Sequence, residues 1–198
     1  MARVNGVPPS KSGPRLRLVY FFLNRAMAPL TGKAKVRFEP LEIYATIPAL
    51  ALAHANLEKT MQKIDLVDKP VLDLAELKVA TVIDDEFQID LSSLIARVRS
   101  RVSDEQLRAL DRHADSELFT DAQKLAMDYA VAMTRTPPHV PDEMMERLRR
   151  QFTDPQFVEL TYTLALANLR CRANVALGVE AFGFSKGRVR ASAVMPLS

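Results

Sequence analysis

Two carboxylates three positions apart are the first candidates for chemistry in this chain. Asp73 and Glu76 would lie on nearly the same face of a helix, because residues three apart are neighbours on a helical surface. Carboxylates that lie close together raise one another's pKa, and such a pair could serve decarboxylation, lactone chemistry or proton transfer. The alternative is that both acids, like the nearby Lys78, are solvated or form salt bridges. Asp73 and Glu76 are therefore candidate catalytic residues.

Asp85 is the next candidate, and it lies where the pattern predicts the start of a new helix. A carboxylate at a helix N-terminus accepts hydrogen bonds from exposed backbone N–H groups and is stabilised by the helix dipole. We therefore predict that Asp85 caps this helix and has a low pKa. Such a group would be a poor general acid, but it could act as a base or bind a cation or a polar substrate. The simpler interpretation is that Asp85 only caps the helix.

The chain has a single cysteine, Cys171, which excludes an internal disulfide and a cysteine-rich metal site. It lies inside a long apolar segment, Phe157 to Leu177, where a small buried hydrophobic side chain is expected. The neighbouring Arg170 and Arg172 are the only polar groups near it in sequence that could activate a thiol. We predict a buried, unreactive Cys171.

His54 is a lone histidine flanked by alanines. We expect it in the core or at an interface, with a substrate-binding or catalytic role as the alternative. Taken together with Asp85, Gln88 and Ser92, it offers neither the ligand types nor the spacing of a metal site. We therefore predict no metal and no cofactor.

Length and composition limit the class of protein. The chain has 198 residues, 48% of them hydrophobic, which is enough for one domain with an ordinary core. The net charge is only +3, and the basic runs at 97–101 and 147–150 step around a helix instead of lining one face, so no nucleic-acid partner is expected. No apolar run approaches the roughly 20 residues that span a bilayer, and the N-terminus lacks the apolar core of a signal peptide. We expect a soluble cytoplasmic protein without membrane contact.

The elements that must position the candidate residues are all predicted to be helices. Residues 1–13 are expected to form a flexible arm, 14–185 a single helical domain and 186–198 a tail. The first helix should begin after Pro14 and stop at Pro29, because proline interrupts helical hydrogen bonding. No stretch alternates with a period of two for long enough to form a sheet, so the predicted fold is all-α.

Helix boundaries near the candidates follow from capping patterns. One helix is predicted from about Pro70 to Ile83 with Asp68 as its cap, and the next begins at the acidic pair 84–85 and runs to about Arg101. Three capping boxes then open further helices: Ser103 with Gln106, Thr120 with Gln123, and Thr153 with Gln156. The last of these helices is the longest and should end at Gly178, a typical C-terminal cap.

Several segments, in this order, resemble the carboxymuconolactone decarboxylase and AhpD-like alkylhydroperoxidase family. They are AELKVA at 75–80, SDEQLRAL at 103–110, AMTRTP at 132–137, FVELTYTLALANLRCRANVALGVE at 157–180 and GFS at 183–185. The resemblance implies an all-helical orthogonal bundle that assembles into dimers, trimers or hexamers. It also implies a site at the N-terminus of the helix that begins near residue 85.

The resemblance also identifies what this chain lacks. In the peroxidase branch of the family, two cysteines three apart reduce hydroperoxides, while an upstream glutamate and a downstream histidine relay protons. By position Asp85 and Gln88 replace the cysteines, Ser92 replaces the histidine, and Asp73 stands where the upstream acid would be, with Glu76 one turn on. Because a glutamine is neither a nucleophile nor a redox group, thiol peroxidase chemistry through this site is excluded. Gln88 is retained as a candidate catalytic residue and Ser92 as a substrate-binding one.

The long C-terminal helix carries polar residues that match the family pattern, namely Asn168, Arg172 and Asn174. A buried arginine needs an acidic partner, and Asp73 or Glu76 is the predicted one. Arg172 would then be a structural tie or an anchor for a substrate anion.

Two functions remain open from the sequence. The first is non-redox acid–base catalysis, or binding of a small organic molecule, in the family pocket. The second is a catalytically inactive, oligomeric binding or structural protein. If Asp73, Glu76 and Asp85 line one enclosed cavity, the enzyme is favoured; if their carboxylates face water or pair with arginine or lysine, it is not.

Overall fold

The computed structural model describes residues 2–33, 35–181 and 183. In these residues the chain forms nine α-helices, two short 3-10 helices and no strand, so the predicted all-α fold is confirmed. The α-helices are α1 (Pro14–Thr31), α2 (Glu39–Tyr44), α3 (Pro48–Met61), α4 (Lys69–Ile83), α5 (Glu86–Arg99), α6 (Asp104–Ala109), α7 (Asp121–Thr134), α8 (Asp142–Gln151) and α9 (Asp154–Leu177). The 3-10 helices are Pro9–Lys11 and Leu110–Asp115. The predicted tail, 186–198, lies outside the described residues.

The chain folds as two compact units. The first contains the residues up to Ile64 together with Leu177–Glu180, and the second contains Asp65–Ala176. The single domain predicted over 14–185 stays a prediction.

In the first unit, α1 packs against α3 around a small core of buried side chains: Leu16, Tyr20, Leu41, Ala45 and Ala51. The predicted N-terminal arm is attached to this core. The backbone N–H of Val7 donates to the carbonyl of Glu42 at 2.8 Å, and the Tyr20 hydroxyl donates to the carbonyl of Val7 at 3.1 Å. Gly6 permits this approach, because a Cβ there would lie 2.6 Å from the Cβ of Glu42.

The predicted end of the first helix at Pro29 was wrong, because α1 continues through Pro29 to Thr31. Pro29 has no N–H to donate to the carbonyl of Arg25, but its fixed φ is compatible with the helix, and the helix continues for only two further residues. Gly32, in the left-handed conformation (φ 67°), ends the helix with its N–H on the carbonyl of Ala28.

The second unit is built around α4, which packs against α5 and α7. Leu74, Leu77 and Val79 of α4 are completely buried, and Leu164 of α9 joins the same core. Because α4 is covered on several sides, apolar residues lie all around it, with Asp73, Glu76 and Lys78 interspersed among them. The turn that follows α4 therefore lies at the end of a helix that is packed into the core of the second unit.

Local capping explains where the helices of this unit begin. The boxes of Ser103 with Gln106 and of Thr120 with Gln123 both form as predicted. At the third, the Oε1 of Gln156 accepts hydrogen bonds from both the N–H and the hydroxyl of Thr153. Asp68 occupies the N-cap position of α4, but its side chain makes no capping hydrogen bond.

Candidate functional site

The site predicted near residue 85 is a two-residue turn between α4 and α5. Asp84 ends α4 in the left-handed conformation (φ 64°, ψ 44°), which aspartate tolerates better than most residues. Asp85 is extended, and its N–H donates to the carbonyl of Ala80 at 3.1 Å. The chain reverses direction here, so the side chain of Asp85 lies at the N-terminus of α5.

Asp85 is buried, with 2% of its surface exposed, and its carboxylate accepts several hydrogen bonds. The backbone N–H of Gln88 donates to Oδ1 at 3.2 Å, and Nδ2 of Asn174 donates to Oδ2 at 2.9 Å. The backbone N–H of Phe87 and the thiol of Cys171 also donate to this carboxylate. The prediction that Asp85 caps α5 is confirmed. Asp85 also connects α5 to α9 through its hydrogen bond with Asn174.

The low pKa predicted for Asp85 was wrong. Burial raises the pKa of this carboxyl group above its ordinary value, and the hydrogen bonds from Asn174, Gln88, Cys171 and Phe87 only partly oppose that effect. All four donors are neutral, so none of them supplies the opposite charge that would favour the ionised form. The helix terminus stabilises a carboxylate, but desolvation at this depth outweighs that stabilisation.

Cys171 is completely buried beside Asp85, as predicted. Burial is the main cause that raises the pKa of its thiol, and the negative charge of Asp85 adds to it. Cys171 is therefore a thiol that donates a hydrogen bond, and not the thiolate that nucleophilic chemistry requires.

Gln88 and Ser92 lie one turn apart on the buried side of α5. Nε2 of Gln88 donates to Oγ of Ser92 at 2.9 Å. The two residues that take the places of a cysteine and the relay histidine in the resemblance are thus bonded to each other.

The two acids of α4 do not meet as a pair. Asp73 forms an ion pair with Arg99 at the end of α5 and accepts a hydrogen bond from the Ser100 hydroxyl at 2.5 Å. Glu76 forms an ion pair with Arg170 of α9. Of the two interpretations of these acids, the salt-bridged one describes the structure, because each carboxylate turns toward a different arginine.

Arg172 is not the arginine that binds these acids, so its predicted partners were wrong. It is exposed, and it donates to the carbonyl of Thr134 at 2.8 Å and to the hydroxyl of Thr136 at 3.2 Å. Arg170 and Arg172 differ by about 200° around the helix axis, so the orientation of α9 that brings Arg170 to Glu76 of α4 directs Arg172 to another side. Arg170 makes the predicted tie to Glu76 in its place.

His54 lies on α3 in the first unit and is mostly buried. Its Nε2 is 3.6 Å from a carboxylate oxygen of Glu58, and its ring meets that of Tyr44 edge to face at 5.0 Å between centroids. Both contacts are with residues of the first unit.

Sequence reasoning missed a second polar cluster, which connects α4 to the 3-10 helix Leu110–Asp115 and to α7. Nζ of Lys78 lies 3.3 Å from the carbonyl of Leu110 and 3.6 Å from Oδ1 of Asp111. The two ring nitrogens of His113 lie 3.1 Å from the same Leu110 carbonyl and 2.9 Å from Oδ1 of Asp128. Burial lowers the pKa of Lys78, although the charges of Asp111 and Asp128 oppose it. The sequence signal was the position of Lys78 inside the apolar run of α4.

Three further observations concern ligands and membranes. Among the described residues, no group of three or more histidines, cysteines, aspartates and glutamates could hold a metal ion. Within the same part of the chain, no helix is both long and apolar enough to cross a membrane. A surface depression of about 500 Å³ lies on α6 and the adjacent 3-10 helix, with Arg108, Arg112 and Ser116 in its lining, and none of the predicted site residues lines it.

Comparison with known proteins identifies the fold of this chain. No family model matches the chain. The Escherichia coli (strain K12) protein described as "Uncharacterized protein YnjA" is 34% identical over 120 residues, which are 61% of this chain. The chain spans only 65% of the length of that curated relative.

Solved structures resemble almost the whole chain. The debrominase Bmp8 without ligand matches with a TM-score of 0.80 at 19% identity, over 94% of this chain and 95% of that one. An uncharacterized peroxidase-related protein with an alkylhydroperoxidase AhpD core, from Ralstonia eutropha JMP134, matches with a TM-score of 0.76 at 16% identity, over 96% and 97%. The chain therefore has the AhpD-like helical fold, as the resemblance predicted.

Proposed function

We propose that this chain is a carboxymuconolactone decarboxylase-like protein of the AhpD-like family that performs no thiol peroxidase chemistry. The observation that carries the proposal is the hydrogen bonding of Asp85. Where the resemblance implies a reactive cysteine, this carboxylate caps α5 and binds Asn174 of α9. The position serves to join two helices of the core.

The state of the remaining thiol supports the same proposal. A peroxidatic cysteine needs a low pKa and access to its substrate. Cys171 is fully buried, and both its burial and the charge of Asp85 raise its pKa. It therefore does not replace the missing pair.

The arginine partners of Asp73 and Glu76 argue against acid–base catalysis by these residues. Each carboxylate is bound to its own arginine, so the two acids do not meet as the acid–base pair that such catalysis would need. We infer a non-catalytic role, as a homo-oligomeric binding or structural protein of the cytoplasm that takes no cofactor and no nucleic acid.

A small-molecule ligand is the second candidate, and Asn174 is the observation that favours it. Its side chain is buried, Nδ2 is bonded to Asp85, and Oδ1 accepts no hydrogen bond from the described residues. A buried acceptor without a partner costs about 1–3 kcal/mol, and a bound group with a hydroxyl or N–H would relieve that cost. A ligand at this position would therefore be a hydrogen-bond donor, such as a small hydroxy acid, a hydroxylated lactone or an amide.

A peroxidase assay tests the main proposal. The wild-type protein should show no saturable, reductant-dependent turnover of organic hydroperoxides, and Cys171→Ser should behave in the same way. Turnover in the wild type that is lost in Cys171→Ser would contradict the proposal, because it would assign thiol peroxidase chemistry to Cys171. Turnover that persists in Cys171→Ser but disappears in Asp85→Asn would contradict the structural role given to Asp85, because it would assign hydroperoxide chemistry to this site without any thiol.

A thermal-shift screen with the three ligand classes tests the second candidate. A ligand at 100 times its Kd should stabilise the wild type by about 2.7 kcal/mol and raise its Tm by several degrees. Asn174→Leu should lose that shift, whereas Asn168→Ala, a change of another amide on the same helix, should keep it. An equal shift in all three proteins would place the ligand elsewhere and end this candidate.

A further inference from the structure

The long helix α9 has two apolar faces. One contains the buried Leu160, Leu164, Ala167 and Cys171 and belongs to the core of the second unit. The opposite face is exposed, yet it contains Val158, with 64% of its surface exposed, Tyr162 with 48% and Leu169 with 53%. A helix that covers a core usually has a polar outer face, and a helix that is apolar all round is usually covered on both sides.

The exposed residues on this face have the spacing of a coiled-coil seam. The outer stripe of α9, as we call it, consists of Val158, Tyr162, Ala165, Leu169, Arg172 and Ala176, all of them exposed. The intervals between them are alternately four and three residues, which is the heptad pattern in which one helix packs against another. The stripe thus fits a helical partner better than a flat or irregular surface.

Two copies of the outer stripe are complementary to each other when the two α9 helices run antiparallel. A two-fold axis beside residue 167 would place Leu169 of one copy against Ala165 of the other, and Val158 against Ala176. It would also place the Tyr162 ring against the Arg172 side chain, a cation and an aromatic group that attract each other. A parallel pairing would instead oppose Arg172 with Arg172, so charge favours the antiparallel arrangement.

The area of the stripe reaches the threshold for a specific interface between proteins. The exposed surface of its six residues is on the order of 500 Å², so two copies would bury roughly 1,000 Å² together if the stripe were fully covered. An isologous contact of this kind, in which the same patch serves both subunits, is the commonest way that identical chains associate.

We propose that the outer stripe of α9 is the interface between two copies of this chain, which pair antiparallel about residue 167. The proposal rests on the homo-oligomer in the proposed function and names its surface. Each copy contributes the same six residues, and the apolar outer face of α9 is thereby removed from water.

Sedimentation velocity over a range of protein concentrations tests the surface. The wild-type protein should have twice the 22.1 kDa mass of the chain, or a higher even multiple of that mass. Leu169→Glu should weaken the pairing roughly 100-fold or more, because a charge would be buried twice per dimer. Val175→Glu is the matched control and should keep the wild-type mass, because Val175 is exposed on the same helix but lies about 100° away from Ala176. Circular dichroism checks that both variants are folded.

The possible outcomes separate the two proposals. A monomeric wild type would overturn both the oligomer and this interface. An oligomer whose mass is unchanged by Leu169→Glu would keep the oligomer and overturn the interface. An equal loss of mass in Val175→Glu would also overturn it, because the stripe would then not be specific.

Disulfide trapping tests the direction of pairing. Chains with Ala165→Cys and chains with Leu169→Cys are mixed and mildly oxidised, while the buried Cys171 serves as an internal control that stays reduced. The antiparallel arrangement predicts a cross-linked dimer in the mixture and little in either variant alone, because a disulfide needs Cα atoms within about 7 Å. Cross-linking of each variant with itself, or none in the mixture, would overturn the antiparallel pairing.

Discussion

Asp85 and Asp73 are both buried carboxylates of the second unit, yet they differ in their partners. Asp85 receives hydrogen bonds from neutral groups alone, among them Asn174, which is as deeply buried as Asp85 itself. Asp73 is paired with the guanidinium of Arg99, whose side chain is 44% exposed. One carboxylate is thus enclosed with its partner, while the other joins the core to the surface.

The difference shows how the fold can be retained without the two cysteines of the peroxidase branch that the family resemblance implies. A helix N-terminus offers N–H groups to any anion or acceptor, and a carboxylate uses them as a thiolate would. The turn between α4 and α5 therefore keeps its geometry with Asp85 in it. Arg99 and Arg170, in contrast, engage Asp73 and Glu76 in separate ion pairs, so the two acids of α4 face arginines and not each other.

The largest effect is expected when Asp85 is truncated. Asp85→Ala removes the cap of α5, which is worth about 1 kcal/mol, and leaves the buried amide of Asn174 without its acceptor, which costs about 1–3 kcal/mol more. We expect the free energy of unfolding to fall by about 2–4 kcal/mol, measured by urea denaturation with an unchanged m-value.

Glu86→Gln is the control for that experiment. Glu86 is exposed in the first turn of the same helix, so losing its charge should change stability by less than about 0.5 kcal/mol. If Asp85→Ala were as mild as this control, Asp85 would be a solvated residue without a structural role.

A smaller effect is expected at Asp73. In Asp73→Asn the side chain keeps its volume and can still accept from the Ser100 hydroxyl, while the partly exposed Arg99 can turn to water. We expect a loss of about 1–2 kcal/mol, measured in the same way. If Asp73→Asn were less stable than Asp85→Ala, the exposure of the partner side chain would not determine how much stability is lost, and the contrast drawn between Asp85 and Asp73 would be wrong.

The sequence predicted the all-α class and most of the helix caps because these depend on local signals, although the Asp68 side chain makes no capping hydrogen bond. Ser103 with Gln106 and Thr120 with Gln123 place helix starts through residues three apart, and Asp85 was recognised as a cap in the same way. The burial of Cys171 followed from the apolar residues around it. Each of these predictions needed only the residues of one helix and its first turn.

The partners of the charged residues could not be predicted from local signals. Glu76 and Arg170 are 94 residues apart in the chain. Arg170 and Arg172 differ by a rotation of about 200° around α9, and only the packing of α9 fixes which of them faces α4. The burial of Lys78 and the pKa of Asp85 likewise depend on neighbouring helices. Propensity and spacing do not determine how many sides of a helix are covered.

The pH dependence of stability should separate Asp85 from an ordinary cap. Because burial raises the folded-state pKa of Asp85 above its ordinary value of 3.8, the folded state holds this proton more tightly than the unfolded state. The tighter binding of this proton therefore contributes to the free energy of unfolding. That contribution is fully present below the ordinary pKa and is lost as pH rises through the folded-state pKa of Asp85. Asp85→Asn does not titrate, so the stability of the wild type relative to this variant should fall as pH is raised from 3.5 upward.

Urea denaturation of both proteins at a series of pH values measures this difference. A wild type that gains stability relative to Asp85→Asn as pH rises would mean that the folded-state pKa is depressed. The original prediction of a strongly stabilised carboxylate would then be correct, and the hydrogen bonds would outweigh burial.

Lys78 extends the comparison to a buried cation and should give the smallest effect at neutral pH. Burial lowers its folded-state pKa below the ordinary 10.5, so its contribution to stability is present above that value and is lost as pH falls through the folded-state pKa.

Lys78→Met keeps the apolar stem of the side chain and removes the group that titrates. We expect a change within about 1 kcal/mol at pH 7, because the relief from desolvation offsets the lost contacts with Leu110 and Asp111. The stability of the variant relative to wild type should decline as pH approaches 10.5, since only the wild type gains there. A loss of several kcal/mol at pH 7 would instead assign Lys78 to the class of Asp85, as an enclosed group whose partners cannot turn to water.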